Sequence, residues 1–349
     1  MTMSDYRSSA LYEAPLDPAD QPLVSVITPV YNGEEFLHEC IESVLAQTYV
    51  NWDYTIVDNC SKDRTIEIAR AYAAKDPRIR LLENTEFLPI IQNHNRAIRQ
   101  ISPQSKYCKV VQADDWLFPD CLMRMVALAE SSPSIGLVGA YGLDGVRVIW
   151  VGLPHPIRVL PGMEACRRRL LGGPWVFGTP TSTLIRAEFV RKWKNFYDEA
   201  NLHADTTVCF RVLQESDFGF INQILTFSRT RSESNNVFAT RMNSFPLAWL
   251  TDLIEYGPRC LSDTEYRGRL QAQLDEYYEF LAESALQLRE RKFWDFHKDR
   301  LRSLGIPLQP LRLFKAVCIS ILKRLSHPVL AARSVGHWWL RSGETGKSR

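Results

Sequence analysis

The sequence has no two cysteines spaced as C-x-x-C. Its eight cysteines, at positions 40, 60, 108, 121, 166, 209, 260 and 318, are scattered along the chain. That argues against a structural zinc site and reads as small core residues in a reducing compartment. No charge of one sign dominates either. A formal net charge of +2 over 349 residues is not that of a polycation built for nucleic acid. Long apolar runs are also missing. The longest candidate, 135–153, is broken by Asp144, Arg147 and several glycines, so no bilayer-spanning helix is expected. The N-terminus lacks a charged-then-apolar leader, which gives the expectation of a cytoplasmic protein without a secretory signal. There is no internal repeat and no low-complexity tract. What is present is ordinary globular composition, 45% hydrophobic and 23% charged, in a length that suits one large domain with an appendage or two domains.

Residues 1–21, polar and carrying Pro15 and Pro18, read as a loosely held tail. A β-branched run, 23–28, then ends in Pro29-Val-Tyr-Asn-Gly33. A helical apolar spacing follows over 34–47. The alternation continues: strand 52–57, helix 65–74, strand 79–82, helix 89–101, strand 107–111, helix 120–130, strand 135–139. Short connections between alternating elements predict a parallel sheet with helices on both faces, and ligands at the carboxyl ends of its strands. The second half is less regular. Strands are expected at 146–151 and 182–185, and two short ones at 218–221 and 224–227. Helices are expected at 163–171, 187–194 and 205–213. From about 243 the composition turns helical, with good helix formers over 270–294.

Three of those strand ends carry chemistry: Tyr31, Asp58 and the pair Asp114-Asp115. Two adjacent carboxylates at a strand end suit a divalent cation that also holds phosphates, since Mg²⁺ and Mn²⁺ favour oxygen donors. The competing reading is a turn with a helix cap. Each of the others has its plain alternative too: Tyr31 as packed core and Asp58 as a turn cap.

Pro22-Leu-Val-Ser-Val-Ile-Thr-Pro-Val-Tyr-Asn32, Ile56-Val-Asp-Asn-Cys-Ser-Lys-Asp-Arg-Thr65, Asn93-His-Asn-Arg-Ala97 and Gln112-Ala-Asp-Asp115 together resemble the nucleotide-binding half of family-2 glycosyltransferases. The resemblance covers about 22–232. It implies the GT-A fold: α/β, a Rossmann-like, mostly parallel sheet flanked by helices, here with a C-terminal helical extension. It implies an inverting, metal-dependent transfer of one sugar from a UDP-, GDP- or dTDP-sugar to a hydroxyl acceptor, a glycan or a lipid-linked precursor of surface polysaccharide. The implied domains are 22–242, split into a nucleotide half (22–116) and an acceptor half (117–242), and a helical region 243–349. The implied donor site comprises Pro29, Tyr31, Asn32, Asp58, Asn95 and Asp114, with Arg229 and Arg231 approaching diphosphate or acceptor. Asp115 is the implied ligand of Mn²⁺ or Mg²⁺, and Asp205 the implied base, its alternative being a helix cap.

The sequence departs from the family pattern at Asn59, Gln112 and Ala204, where relatives often carry acids. Those departures motivate an alternative, a non-catalytic nucleotide-sugar-binding relative acting as a membrane-side partner. A sugar-nucleotide pyrophosphorylase would want a Gly-rich loop after the first strand, and only Gly33 stands there. No Gln-x-x-Arg-Trp motif of processive synthases is present. After Pro310 the chain is basic and apolar by turns and includes Trp338-Trp339. It is expected either to lie on the inner face of the cytoplasmic membrane or to pack on the domain.

Overall fold

The computed structural model describes residues 16–151, 153, 155, 157–229 and 241–326. The chain divides into two compact units, Met1–Asn236 and Val237–Arg349.

The first unit is built on a ten-stranded sheet. Its first strands follow the β-branched runs: β1 (Val24–Val30), β2 (Trp52–Asp58), β3 (Ile79–Glu83) and β4 (Tyr107–Val110). They are joined by α1 (Leu37–Leu45), α2 (Thr65–Ala73) and α3 (Ile90–Ile98). β1 pairs in parallel with both β2 and β4, and β2 with β3. β1 is buried at all seven residues, as expected of a central strand covered on both faces. Pro29 is tolerated inside it because β4 ends opposite Ile27, so no ladder partner is needed on that side.

The second half of the unit adds β5 (Trp116–Leu117), α4 (Cys121–Glu130), β6 (Ile135–Asp144), β7 (Arg147–Ile149), β8 (Val159–Leu160), α5 (Gly162–Leu170), β9 (Thr183–Arg186), α6 (Ala187–Lys192), α7 (Ala204–Leu213) and β10 (Asp217–Phe227). The strand order is β3-β2-β1-β4-β9-β6-β10-β5, with β7 on β6 and β8 on β10. The expectation of a mostly parallel sheet is refined here. β9 runs antiparallel to both β4 and β6, so the sheet is mixed: β3, β2, β1 and β4 are parallel on one side, and on the other β6 and β10 are parallel while β5, β7 and β8 join them antiparallel. The two short strands expected near 218–227 are one strand. Register shifts on either side of Ile224 interrupt its alternation, next to the polar pair Asn222-Gln223.

The core of this unit gathers Val24, Val26, Leu37, Ile41, Tyr54, Ile56, Met125, Val138 and Ile221 from both faces. Its strand-end loops are stitched to one another. Asn32, at φ 49°, donates its N–H to Ser61 Oγ (2.8 Å) and accepts from Lys62 N (2.9 Å). Gly33 N donates to Thr65 Oγ1 (2.7 Å), Glu34 N to Asp63 Oδ2 (3.0 Å), and Arg64 N to Glu34 Oε2 (3.0 Å).

The second unit is helical: α8 (Phe245–Cys260), α9 (Asp263–Leu286), α10 (Arg291–Ser303) and α11 (Pro310–Ser326). Ser262 and Glu265 form a capping box at the start of α9. The single helix expected over 270–294 is broken after Leu286, where Leu288 takes a positive φ of 52°. Leu250, Tyr277, Leu281, Phe293 and Leu301 make the core. His297 is buried among them. One ring nitrogen, Nδ1, lies 2.6 Å from Tyr277 Oη, and Nε2 lies 2.8 Å from the Met242 carbonyl. Burial pushes its pKa down to about 4.

Candidate active site

Asp58 closes β2 and is fully buried. Its Oδ2 accepts from Ser61 N at 3.0 Å, while Oδ1 is buried with no protein partner. A buried acceptor left open is costly, so it is a candidate ligand contact. Next to it, Asn59 is fully spent on the fold. Its amide donates to Leu88 O (2.8 Å), and its carbonyl accepts from Leu88 N (2.9 Å) and Asn84 Nδ2 (3.0 Å). The acid usual at this position in relatives is therefore replaced by a clip on the 84–88 loop. That loop carries Phe87, 56% exposed, whose ring meets Tyr31 edge-on at 4.9 Å. Sequence reasoning named Tyr31 and missed Phe87, because a single Phe in a loop carries no periodic signal.

The Asp114-Asp115 pair follows β4. Asp114 is half-buried, and Asp115 is 5% exposed. Both carboxylate oxygens of Asp115 are already engaged. Oδ2 accepts from Thr181 Oγ1 at 2.5 Å, and Oδ1 from the Arg229 N–H at 2.8 Å. Burial pushes its pKa up to about 7, and the neighbouring Asp114 adds to that rise against the lowering hydrogen bonds.

Arg229 reaches this pair across 114 residues of sequence because β5, just past the aspartates, pairs with the end of β10 (Thr226 with Leu117, Phe227 with Trp116). Its Nε donates to Asp114 O at 3.1 Å and its terminal amine to Glu39 at 2.9 Å. The guanidinium lies 3.9 Å from the Phe36 ring centroid and 5.4 Å from that of Trp116, which is itself stacked on Phe227 at 3.7 Å. Such packing fixes a cation beside the aspartates. Arg231 lies outside the described residues.

Thr181 ties the pair to a buried lysine. Its Oγ1 accepts from Gln112 N (3.1 Å) as well as donating to Asp115, and its carbonyl accepts from Lys109 Nζ at 2.5 Å. Lys109 is fully buried and also donates to Thr183 O at 3.2 Å; burial pushes its pKa down. Neither residue carried a signal in the sequence. A lysine inside an apolar strand reads as a solvated side chain, and a threonine in an irregular loop reads as nothing.

Asn95 is buried rather than on a helix surface. Its amide brackets Tyr197 from both sides, donating to Tyr197 O and accepting from Tyr197 N, each at 2.8 Å. Its reach is thus to the 196–199 segment. His94, one residue earlier, lies with Nε2 3.1 Å from Gln112 Oε1 and its ring 6.0 Å from that of Tyr197. Asp205 sits in the first turn of α7, where Oδ1 accepts from Thr206 N at 2.9 Å. It is close enough to Tyr197 to raise that phenol's pKa, and burial raises its own. His94 thus joins Tyr197 to Gln112, whose backbone carbonyl accepts from Asp115 N at 3.0 Å. Pro29 and Asn32 have structural duties, in the β1 strand and in the loop stitching described above.

A mixed α/β sheet with carboxylates, an aromatic pair and a caged arginine at its strand ends defines a glycosyltransferase of the GT-A type. Residues 25–193 match the model of "Glycosyl transferase family 2". The chain is 27% identical to glycosyltransferase GlyG of Streptococcus pneumoniae, covering 70% of this chain and 82% of that one. It is 29% identical to the putative glycosyltransferase EpsE of Bacillus subtilis, covering 59% and 78%. A shorter stretch is 36% identical to the putative teichuronic acid biosynthesis glycosyltransferase TuaG of B. subtilis, covering 34% and 47%. Two solved structures share the fold. S. aureus TarS 1–349 with UDP-GlcNAc has a TM-score of 0.59 at 14% identity, covering 82% of each chain. The mannosyltransferase PcManGT from Pyrobaculum calidifontis with GDP-Man and Mn²⁺ has a TM-score of 0.52 at 16% identity, covering 91% and 92%. The family match is confined to residues 25–193, and together with these relatives it shows that the chain is a glycosyltransferase.

Among the described residues no group of three or more His, Cys, Asp or Glu could enclose a metal ion. The donors present are oxygens of two adjacent carboxylates, one of them committed to protein hydrogen bonds. That set fits a cation sharing its coordination with a ligand's oxygens and water, not one caged by protein.

Proposed function

We propose that the protein is an inverting transferase that moves one sugar from a nucleoside-diphosphate sugar to a hydroxyl acceptor in surface-polysaccharide synthesis. The observation that carries this reading is the unpartnered, buried Oδ1 of Asp58 at the end of β2, beside the ring pair of half-buried Tyr31 and exposed Phe87. An open acceptor next to aromatic faces suits a nucleobase, which offers an N–H edge and two apolar faces.

The diphosphate belongs at Asp114, Asp115 and Arg229. Asp114, the more accessible carboxylate, is the residue that would hold a Mn²⁺ or Mg²⁺ ion, beside the buried Asp115. Asp115, held by Thr181 and Arg229, braces the loop and adds field. The cation's contribution when bound is to neutralise charge on the departing diphosphate. The Arg229 guanidinium supplies further positive charge at the same place.

In the transfer, the acceptor oxygen forms a bond to the anomeric carbon as the glycosidic bond to the diphosphate breaks. The bonding pair leaves with the diphosphate, and the acceptor proton passes to Asp205. Burial raises the Asp205 pKa, which suits a carboxylate that must take a proton near neutral pH. The name of one relative, a putative teichuronic acid biosynthesis glycosyltransferase, supports the polysaccharide setting. UDP-GlcNAc and GDP-Man in the similar structures support a nucleotide-sugar donor, and Mn²⁺ in one supports a cation.

A thermal-shift screen of UDP, GDP and dTDP with and without Mn²⁺ tests the reading, since a ligand of the native state raises Tm. One diphosphate should stabilise the protein, more so with Mn²⁺, and Asp58→Ala should abolish that shift. If none of the three shifts Tm with the metal present, the donor assignment is wrong. Metal-dependent binding without turnover on any donor would instead favour the non-catalytic relative.

A further inference from the structure

The last helix of the second unit is apolar on two sides, and only one of them is covered. In α11, Leu311, Phe314, Cys318, Leu322 and Leu325 follow one another at three- and four-residue steps and so share one face. That face points to solvent: Leu311 is 85% exposed, Phe314 69%, Leu322 64% and Leu325 74%. The opposite side serves the unit itself. Leu313 packs against the core and Ser320 is buried, while ion pairs flank the contact: Arg312 with Asp275 (2.7 Å), Lys323 with Glu279 (2.6 Å), and Arg324 with Glu283. A helix that needed only to cover its own unit would not carry a second apolar face.

We propose that this stripe is a docking surface for an anionic lipid bilayer, on which α11 lies in the interfacial plane. Charge favours that occupant. The helix carries no acid of its own, and Lys315 sits exposed beside the stripe. The sequence that follows, 327–349, has Arg333, Arg341, Lys347 and Arg349 against Glu344 alone, together with Trp338-Trp339. Basic residues with tryptophans and a leucine–phenylalanine face are the composition that binds an anionic interface. Size disfavours a second copy of the chain. A 17-residue helix is about 26 Å long, and an apolar stripe about 10 Å wide on it offers roughly 260 Å², against roughly 800 Å² per partner in a stable interface. A bilayer needs no such area from one complementary patch. The helix lies on the surface rather than through it: no described helix is long and apolar enough to cross a membrane.

The test is co-sedimentation of the full chain with phosphatidylcholine vesicles, with and without phosphatidylglycerol. Wild type should pellet with the anionic vesicles and weakly with the neutral ones. The variant Phe314→Ser/Leu322→Ser should partition about tenfold less or weaker still, with an unchanged Tm because both side chains already face water. Val146→Ser, which alters a fully exposed valine in the first unit, should bind as wild type. Unchanged vesicle binding by the double variant overturns the proposal, as does equal wild-type binding to neutral vesicles. So does a wild-type dimer in analytical ultracentrifugation that ignores vesicles and falls to monomer in the double variant.

Discussion

The two units of this chain treat polarity in opposite ways. The α/β unit draws ionisable groups inward: Asp58, Lys109 and Asp115 are all buried at or behind the carboxyl ends of its central strands. The helical unit keeps its ion pairs near the surface, buries one titratable cluster around His297, and turns the leucines of its last helix outward. Burying charge costs stability unless partners are arranged for it, and exposing leucine forfeits stability that burial would bring. Each unit departs from the usual inside-out distribution at a cluster of neighbouring residues. In the first the departure is where a phosphate-bearing ligand is proposed; in the second it is where a lipid surface is. The comparison teaches that the costly placement, more than the fold, is where to look for function.

The sharpest break in the comparison comes from activity. Asp114→Ala and Asp205→Ala should each lower transfer by about a hundredfold or more while leaving the urea midpoint nearly unchanged. Steady-state assays with the donor found by thermal shift decide it, and full activity in both variants would remove the site from this strand edge.

Acid should expose the other unit. His297 is held neutral, with a folded pKa of about 4 below the ordinary 6.5. The stability it contributes is present above pH 6.5 and lost as pH falls from there through 4, about 3 kcal/mol in all. In the first unit Asp115, raised to about 7, runs the opposite way, losing its contribution as pH rises from the ordinary carboxylate range through 7. His94 and His203, both lowered, offset it on the acid side. Urea melts at several pH values should show His297→Gln flattening the acid loss. An unchanged slope would mean that the histidine is not what makes the helical unit acid-labile.

Lys109→Met should cost about 2 kcal/mol, because two buried carbonyls, Thr181 O and Thr183 O, lose their donor. A thermal or urea melt measures it. A neutral or stabilising result would mean that the buried ammonium is dispensable and that Thr181 is held by the loop alone. The smallest effect is expected at the aromatic rim: Phe87→Ala should weaken nucleotide affinity about fivefold, the worth of one ring contact, read by calorimetry.

Much of the first unit was legible from residues. The β-branched runs and the helical spacings between them placed β1 to β4 and α1 to α4 within a few positions, because each element is held by local periodicity. The strand ends named Tyr31, Asp58, Asp114 and Asp115 for the same reason. What escaped depends on distant pairing. β9 enters the sheet antiparallel between β4 and β6 and leaves no local pattern. Arg229 was named only through the family resemblance, because the two residues of β5 that bring it to the aspartates leave none either. Thr181 and Lys109 act through backbone carbonyls, which carry no residue code. In the second unit the helices were legible from composition. The uncovered stripe of α11 was not, since a helical wheel gives the apolar residues but not which side meets the neighbouring helix.

The reciprocal stitching of the 32–34 and 61–65 loops has a thermodynamic consequence. Five hydrogen bonds between them are in place without any ligand. A rim ordered in advance has little disorder left to lose when a nucleotide arrives. Calorimetry over a range of temperatures should therefore give a heat-capacity change far smaller than that of coupled folding and binding. Asn32→Ala/Ser61→Ala, which unpicks two of the stitches, should make that change more negative.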